Sequence, residues 1–343
     1  MPRPRQDRGP LRSSPRSTAR GGAPSSARAA ATLVGLLAVT ACGADAQSGL
    51  EGEGDQINLV VPFAPGGSAD GTARQLALQA QQTCDTDIVV RNETGGSGAV
   101  GFQSVASATP DGTTIGVAAI ELAILPHLGV SPIGPDSVRG IMQYSEQPVA
   151  FGVPTNSPLE DAEELLSTDE DITVASSGTG SIYHIGFAGA AQTADQPNLR
   201  NVPYSGAATA VQATLGQETD MVTVGAAELA PYVESGQLRG LAVAGEERVE
   251  DILPGVPTLE ELGLDWTSHA ILGLFAPADT PDEVIRHLNG CLDEARVSES
   301  FSGYMDNLGF TQEYKDADAF DAFLREEHQR YGAVVDDAGL GHQ

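Results

Sequence analysis

The sequence predicts an α/β protein built around two largely parallel sheets. Short runs rich in β-branched residues alternate along the chain with amphipathic stretches. Several of these stretches begin with a Ser or Thr three residues before a Glu, a pattern typical of helix N-termini. A chain of 343 residues has enough length for two sheets, each with a core.

The composition excludes several classes of protein. A charged fraction of 19% and the regular return of apolar runs argue against disorder, and the 40 Gly and 21 Pro exclude a coiled coil. A net charge of -29 excludes nucleic acid as a partner, because phosphate binding needs a basic face. An acid-rich, Lys-poor composition is also typical of proteins from salty habitats, so the charge by itself does not indicate a ligand.

Residues 1–41 form a predicted lipoprotein signal peptide. Arginines precede a short apolar run at 29–39, and Val39-Thr40-Ala41-Cys42 resembles a bacterial lipobox. This pattern predicts lipid attachment at Cys42; the alternative is an ordinary signal peptide with an incidental Cys. Residues 42–55 lack periodicity and are predicted to be a flexible tether. The mature protein is therefore expected outside the cytoplasm, anchored to the membrane.

The rest of the chain alternates predicted strands and helices. Strands are predicted at 57–63, 88–90, 114–118, 149–153, 172–175, 221–224 and 238–244. Helix starts are predicted at 157–160, 258–261 and 280–283, and helix ends at Gly216, Gly236 and Gly263. Parallel α/β sheets bind ligands where strands lead into helices, so those loops are the candidate sites.

The first such loop is 62–70. Gly66 and Gly67 allow a tight turn before a helix whose N-terminal N–H groups would bind an anion without a basic side chain. The alternative is a Pro-Gly turn that only connects two elements.

Two further loops carry hydroxyls. Residues 175–184 combine Ser and Thr with two glycines, and Tyr204 with Ser205 precedes another helix. A hydrolase elbow needs Gly-x-Ser-x-Gly, whereas this chain has Gly178-Thr-Gly-Ser-Ile182. We therefore expect no catalytic residue here, and His184 is expected to pack or to orient its loop.

No cofactor or metal is expected. The Gly-x-Gly-x-x-Gly pattern at 96–101 is separated from its strand by residues 91–95, unlike a dinucleotide-binding turn. The six His are dispersed, and acidic runs such as 160–164 suit solvated helix faces. With Cys42 lipidated, Cys84 and Cys291 form either a disulfide or two buried free thiols.

The order of the motifs resembles the extracytoplasmic receptors of tripartite tricarboxylate transporters, also called Bug-type receptors, over nearly the whole mature chain. The motifs that carry the resemblance are Val61-Pro-Phe63, Pro65-Gly-Gly67, Asp70, Ala73-Arg74, Val90-Arg-Asn-Glu93, Gly95-Gly-Ser-Gly98, Thr109-Pro-Asp-Gly112, Ser176-Ser-Gly-Thr-Gly-Ser181, His184, Val202-Pro-Tyr-Ser-Gly206, Ser235 to Val243 and Pro254-Gly-Val-Pro-Thr258 with Gly263.

The resemblance implies a two-lobed, Venus-flytrap fold of the type II periplasmic binding proteins, each lobe a mixed, mostly parallel sheet flanked by helices. Lobe 1 would comprise residues 56–145 plus 272–343, and lobe 2 residues 146–271. This arrangement would bring Cys291 into the lobe of Cys84, which favours the disulfide.

The resemblance also implies a ligand site between the lobes, made of backbone amides and hydroxyls. Asp70 would support its loop or position water, because it would repel a ligand carboxylate. The implied ligand-binding residues are Ala64, Gly66, Gly67, Ser68, Asp70, Glu121, Ser176, Ser177, Gly178, Thr179, Gly180, Ser181 and Tyr204.

Two positions depart from the family pattern. Ser205 stands where members often have Lys, and Glu121 stands where they often have small hydroxyl residues. Glu121 would either face the cleft, selecting a ligand with an ammonium or hydroxyl group, or lie exposed to solvent, and we expect exposure.

The function implied is capture of a small carboxylate, without chemistry, by a monomeric receptor that delivers it to permease subunits. The alternatives are an exported hydrolase using Ser181 or Ser177 with His184, and a receptor that reports to a sensor kinase.

Overall fold

The computed structural model describes residues 56–196 and 198–341. The predicted signal peptide, Cys42 and the tether lie outside these residues. Among the helices of the described ranges, none combines the length and the apolar character that a membrane span requires.

Strands and helices alternate through the described residues, as predicted. The strands are β1 Ile57–Val61, β2 Ile88–Asn92, β3 Thr114–Ala119, β4 Val138–Pro154, β5 Ile172–Ser176, β6 Leu199–Pro203, β7 Met221–Gly225, β8 Leu238–Val243 and β9 His269–Pro277. The helices are α1 Ser68–Thr83, α2 Ala99–Ala106, α3 Glu121–Ile124, α4 Ala162–Ser167, α5 Ile182–Thr193, α6 Ala207–Leu215, α7 Ala226–Glu234, α8 Asp282–Arg296, α9 Glu299–Asn307 and α10 Ala317–Asp337.

The first half of the fold is the sheet of β1, β2, β3, β9 and residues 138–148 of β4. Strand β1 lies between β2 and β3 and is parallel to both. Strand β9 is antiparallel to β3 on one side and to β4 on the other. The residues of β1 are almost all buried, as expected for a parallel strand covered on both faces.

The second half is the sheet of β5 to β8 and residues 149–154 of β4. Strand β5 lies between β6 and β7, parallel to both, and β4 pairs antiparallel with β7 and β8. The α/β class with mixed sheets is therefore confirmed, although among the described strands each half has two parallel and two antiparallel pairs, so neither sheet is mostly parallel. One feature was not predicted: β4 runs 17 residues through both sheets and joins them.

Helices cover both sheets and enclose three apolar clusters. Helix α1 packs against α8 and α9 over the first half, while α10 packs against α3 and β4. One cluster lies under α1 and α8 and another under α6 and α7. The third is continuous between the halves and includes Phe102 of the first half and Ile185 of the second.

Two predicted helix starts differ from the structure. Ser157 accepts a hydrogen bond from the Leu159 N–H, but α4 begins later, capped by Asp161. Thr258 and Glu261 form the reciprocal capping bonds, at 2.9 and 3.1 Å, yet enclose only a turn. Gly263 stops it, because its φ of +83° is left-handed and cannot continue a helix.

The structure joins Cys84 and Cys291 in a disulfide. Cys84 ends α1, Cys291 lies within α8, and both are 8% exposed. The Thr83 hydroxyl donates to the Cys291 carbonyl at 2.7 Å beside the bridge. The disulfide therefore ties the C-terminal helices to the first helix of the same half.

Candidate ligand-binding cleft

The loop after β1 presents exposed backbone at the edge of the first sheet. Ala64, Gly66 and Gly67 are exposed, and Ser68 is half-buried at the start of α1. Gly66 has a φ of +84°, which favours glycine over any other residue. The sharp turn directs the chain straight into α1.

Asp70 holds this loop in place. It is 4% exposed, and its Oδ2 accepts the Gly66 N–H at 2.9 Å. Its Oδ1 accepts Arg74 Nε at 2.9 Å and Asn92 Nδ2 at 2.8 Å. Burial opposes ionisation, but these hydrogen bonds outweigh it and hold the pKa of Asp70 below its usual value. With both oxygens engaged, Asp70 supports the loop, one of the two roles expected from the sequence.

The N-terminus of α1 has free donors. Gly67 is the N-cap residue and no side chain caps the helix. The first N–H groups of a helix have no partner within it and carry the positive end of the helix dipole. The turn beginning at Ser68 can therefore bind a carboxylate without a basic side chain.

The loop after β5 satisfies most of its own polar groups. Ser176 Oγ donates to Asn201 Oδ1 at 2.6 Å. Ser181 caps α5: its Oγ donates to the Gly178 carbonyl at 2.8 Å and accepts the His184 N–H at 3.3 Å. Ser177 is half-buried and Thr179 exposed. Ser177 and Thr179 are therefore the hydroxyl residues of this loop that remain accessible to a ligand.

His184 orients the loop, as expected from the sequence. Its Nδ1 accepts the Gly180 N–H at 3.1 Å, and burial lowers its pKa to about 4. The imidazole is therefore neutral at physiological pH and its Nδ1 is already engaged. Since the Ser181 hydroxyl donates to a backbone carbonyl, Ser181 and His184 do not form a nucleophile–base pair in this arrangement.

The structure corrects the expectation for Glu121. Its side chain is buried, with 5% of the residue exposed, so solvent exposure was the wrong prediction. Its Oε1 accepts the Ile182 N–H at 3.0 Å, at the N-terminus of α5. Burial raises the pKa of Glu121 to about 7, although this N–H bond favours the charged form. A carboxylate from the first half thus occupies a helix N-terminus of the second half.

The third loop leads into α6. The Tyr204 N–H donates to the Ser176 carbonyl at 2.8 Å, which ties this loop to the previous one. The Tyr204 side chain packs against the apolar cluster of the second half, and burial together with the nearby Glu218 carboxylate raises its pKa. Gly206 is the N-cap of α6 and no side chain caps this helix. Ser205 does not cap this helix, and its Oγ lies 3.3 Å from Thr209 Oγ1.

Glu228, near the start of α7, was missed by the sequence analysis. Its Oε1 accepts the Ser68 hydroxyl at 2.8 Å, and its Oε2 accepts the Tyr183 hydroxyl at 2.8 Å and the Gly225 N–H at 3.1 Å. A Glu three residues after a Gly that ends a strand is a signal for this helix start. The sequence pattern instead predicts solvated helix faces for acidic residues.

Three contacts cross between the halves at these loops. They are the Ser68–Glu228 hydrogen bond, the Ile182–Glu121 hydrogen bond, and a 2.9 Å bond from Ser97 Oγ to the Thr179 carbonyl. Segments after β1, β2 and β3 of the first half therefore contact segments after β5 and β7 of the second half. Within the described residues no group of acidic, His or Cys side chains has the arrangement of a metal site.

Comparisons with known proteins agree with this architecture. A family model described as "Tripartite tricarboxylate transporter family receptor" matches residues 72–340. A protein of Cupriavidus necator, "UPF0065 protein in gbd 5'region", is 27% identical over 291 residues, 83% of this chain and 88% of that protein.

Two solved structures are similar along most of the chain. The ligand-free TctC solute binding protein from Polaromonas is 28% identical with a TM-score of 0.68, covering 82% of this chain and 98% of that one. MatC from Rhodopseudomonas palustris, solved with bound malate, is 26% identical with a TM-score of 0.73 and the same two coverages. With the family model matching most of its length, the chain belongs to the tripartite tricarboxylate transporter family of receptors.

Proposed function

We propose that the chain is an extracytoplasmic, lipid-anchored receptor that captures a small carboxylate between two lobes and delivers it to the permease of a tripartite tricarboxylate-type transporter. The main support is the N-terminus of α1, which has no side-chain cap and begins at an exposed Gly-Gly turn in the cleft. Because anions bind helix N-termini through free N–H groups, this turn suits a carboxylate. MatC, a similar structure, holds malate.

We take the lobes to be residues 56–145 plus 272–343 and residues 146–271. The support is the change of partner along β4, whose residues 138–148 pair with β9 and whose later residues pair with β7 and β8. Closure of two lobes needs a ligand that binds the closed form more tightly than the open form. A ligand that contacts donors from the loops after β1 and β5 at the same time would bind the closed form more tightly, because only closure brings both loops to it.

The proposed binding of a carboxylate is tested with the full chain carrying Cys42→Ala, which cannot take a lipid at that position. Thermal unfolding is followed against carboxylates, amino acids, sugars and nucleotides. A carboxylate at 100 times its dissociation constant is expected to raise the free energy of unfolding by about 2.7 kcal/mol. A shift confined to sugars or nucleotides would refute the proposal.

The same assay separates the α1 N–H from the Ser68 hydroxyl. Ser68→Pro removes both groups, whereas the matched control Ser68→Ala removes only the hydroxyl. Proline suits the first position of a helix, and Gly67, at ψ 174°, already has the extended backbone that a following proline requires. We expect Ser68→Pro to bind the carboxylate about ten- to a hundredfold more weakly than Ser68→Ala. Equal affinities would mean that α1 does not hold the ligand.

The lipid anchor is tested by fractionating cells that express the full chain. Wild type is expected in the membrane fraction, because one diacylglycerol plus an acyl chain gives stable anchoring. Cys42→Ala should move to the soluble fraction, whereas the control Cys84→Ala/Cys291→Ala should stay with the membrane. Identical partitioning of wild type and Cys42→Ala would exclude a lipid on this residue.

A further inference from the structure

Glu228 brings a carboxylate of the second half to the N-terminus of α1. Its Oε1 lies 2.8 Å from the Ser68 hydroxyl. Ser68 is the first residue of α1, the helix whose free N–H groups form the proposed carboxylate site. A negatively charged acceptor therefore contacts the residue at which this set of anion-binding donors begins.

The Glu228 carboxylate has a fixed position. Its Oε2 accepts both the Tyr183 hydroxyl at 2.8 Å and the Gly225 N–H at 3.1 Å, and Tyr183 is 8% exposed. Two donors on one oxygen hold the carboxylate against α5 and α7. The other oxygen remains directed at Ser68, across the cleft.

The described residues supply no cationic partner for this charge. In the ranges that the structure describes, none of the ion pairs involves Glu228. The basic side chain closest in sequence to the first loop, Arg74, is bound to Asp70 and Asn92. A ligand with only carboxylates would bring further negative charge beside Glu228, which is unfavourable.

An α-amino acid matches both features. Its carboxylate suits the N–H groups of α1, and its ammonium group, attached one carbon away, suits Glu228 Oε1. We propose that Glu228 is a specificity-determining residue that makes this receptor select α-amino carboxylates over the same acids without the amino group. This inference rests on the proposed function and names the ligand class of that site.

The test measures dissociation constants by calorimetry for pairs of acids that differ by one amino group. The pairs are aspartate and succinate, glutamate and glutarate, alanine and propionate, and phenylalanine and 3-phenylpropionate. We expect the wild type to bind each amino acid at least about tenfold more tightly than the matching acid without the amino group, because only the amino acid has an ammonium group to pair with the Glu228 carboxylate.

Two variants assign this preference to a residue. Glu228→Gln keeps the size of the side chain and removes its charge. It should lower the preference for the amino acid, measured as the dissociation constant of the desamino acid divided by that of the amino acid, at least about tenfold. Glu234→Gln, on the exposed end of the same helix, makes the same change in net charge and should leave the ratio unchanged. The ratio is internal to each variant, so it does not depend on a change in folding stability.

The outcomes separate this inference from the proposed function. Three outcomes would overturn the inference while the receptor function stands. The wild type could prefer the acid without the amino group, or it could bind only carboxylates outside the four pairs. The ratio of the two dissociation constants could also be the same in Glu228→Gln as in the wild type. If no carboxylate binds, both fail.

Discussion

Replacing Glu121 with glutamine is expected to raise the free energy of unfolding by about 3 kcal/mol at pH 8 and to leave it nearly unchanged at pH 4. Burial raises the pKa of Glu121 to about 7 in the folded protein, from its usual value of 4.5. Its chain neighbours Ile120 and Leu122, and Ile182, whose N–H it accepts, all belong to one buried apolar cluster. Glutamine keeps an oxygen to accept the Ile182 N–H and carries no charge.

The direction follows from which state holds the proton. Between pH 4.5 and pH 7 the folded protein keeps a proton that the unfolded chain releases, so stability falls as pH rises. Below this window both states are protonated, and above it both are ionised and the loss is complete. Glu121→Gln lacks this fall.

The measurement is urea unfolding from pH 4 to pH 8 for wild type, Glu121→Gln and Glu163→Gln. Glu163 is exposed on α4 and serves as the control for loss of one carboxylate. The control should follow the wild-type curve. Parallel curves for wild type and Glu121→Gln would show that Glu121 does not titrate in this window.

Removing the disulfide is expected to lower the free energy of unfolding by about 2–4 kcal/mol. Cys84 and Cys291 are 207 residues apart, so the bridge closes a long loop and restricts the unfolded chain strongly. Both residues are buried, and alanine at both positions leaves no unpaired thiol. Unfolding of Cys84→Ala/Cys291→Ala by urea measures the loss.

A reducing agent provides the control. It should destabilise the wild type to nearly the level of the double variant and should have no effect on the double variant. A wild type whose unfolding midpoint does not change on reduction would show that the two thiols are not bridged in solution.

Much of the first loop was predictable because its interactions are local. Gly66, Asp70 and Arg74 lie within nine residues, so the turn, the helix start and the supporting carboxylate were visible as one motif. Ser181 also acts locally, because it caps the helix that follows it, whereas the resemblance implied that it binds the ligand. Local hydrogen bonds depend on spacing along the chain, and spacing is what a sequence displays.

The positions of Glu121 and Glu228 were not predictable in this way. Glu121 contacts a residue 61 positions away and Glu228 one 160 positions away. On a sequence each is an acidic residue near a helix start, a position that usually faces solvent. Both are instead turned inward because the two halves of the fold meet at these loops.

By itself, the sequence determined the α/β class, most of the strands and the loops that carry the candidate site, because hydrophobic periodicity and turn residues act over a few positions. Only the tertiary structure decided that β4 joins the two sheets and that Glu121 takes the helix N-terminus after the second loop. It also decided that Glu228 stands opposite the first loop. These features depend on which distant loops come together, and burial and charge at such a meeting point are properties of the folded chain alone.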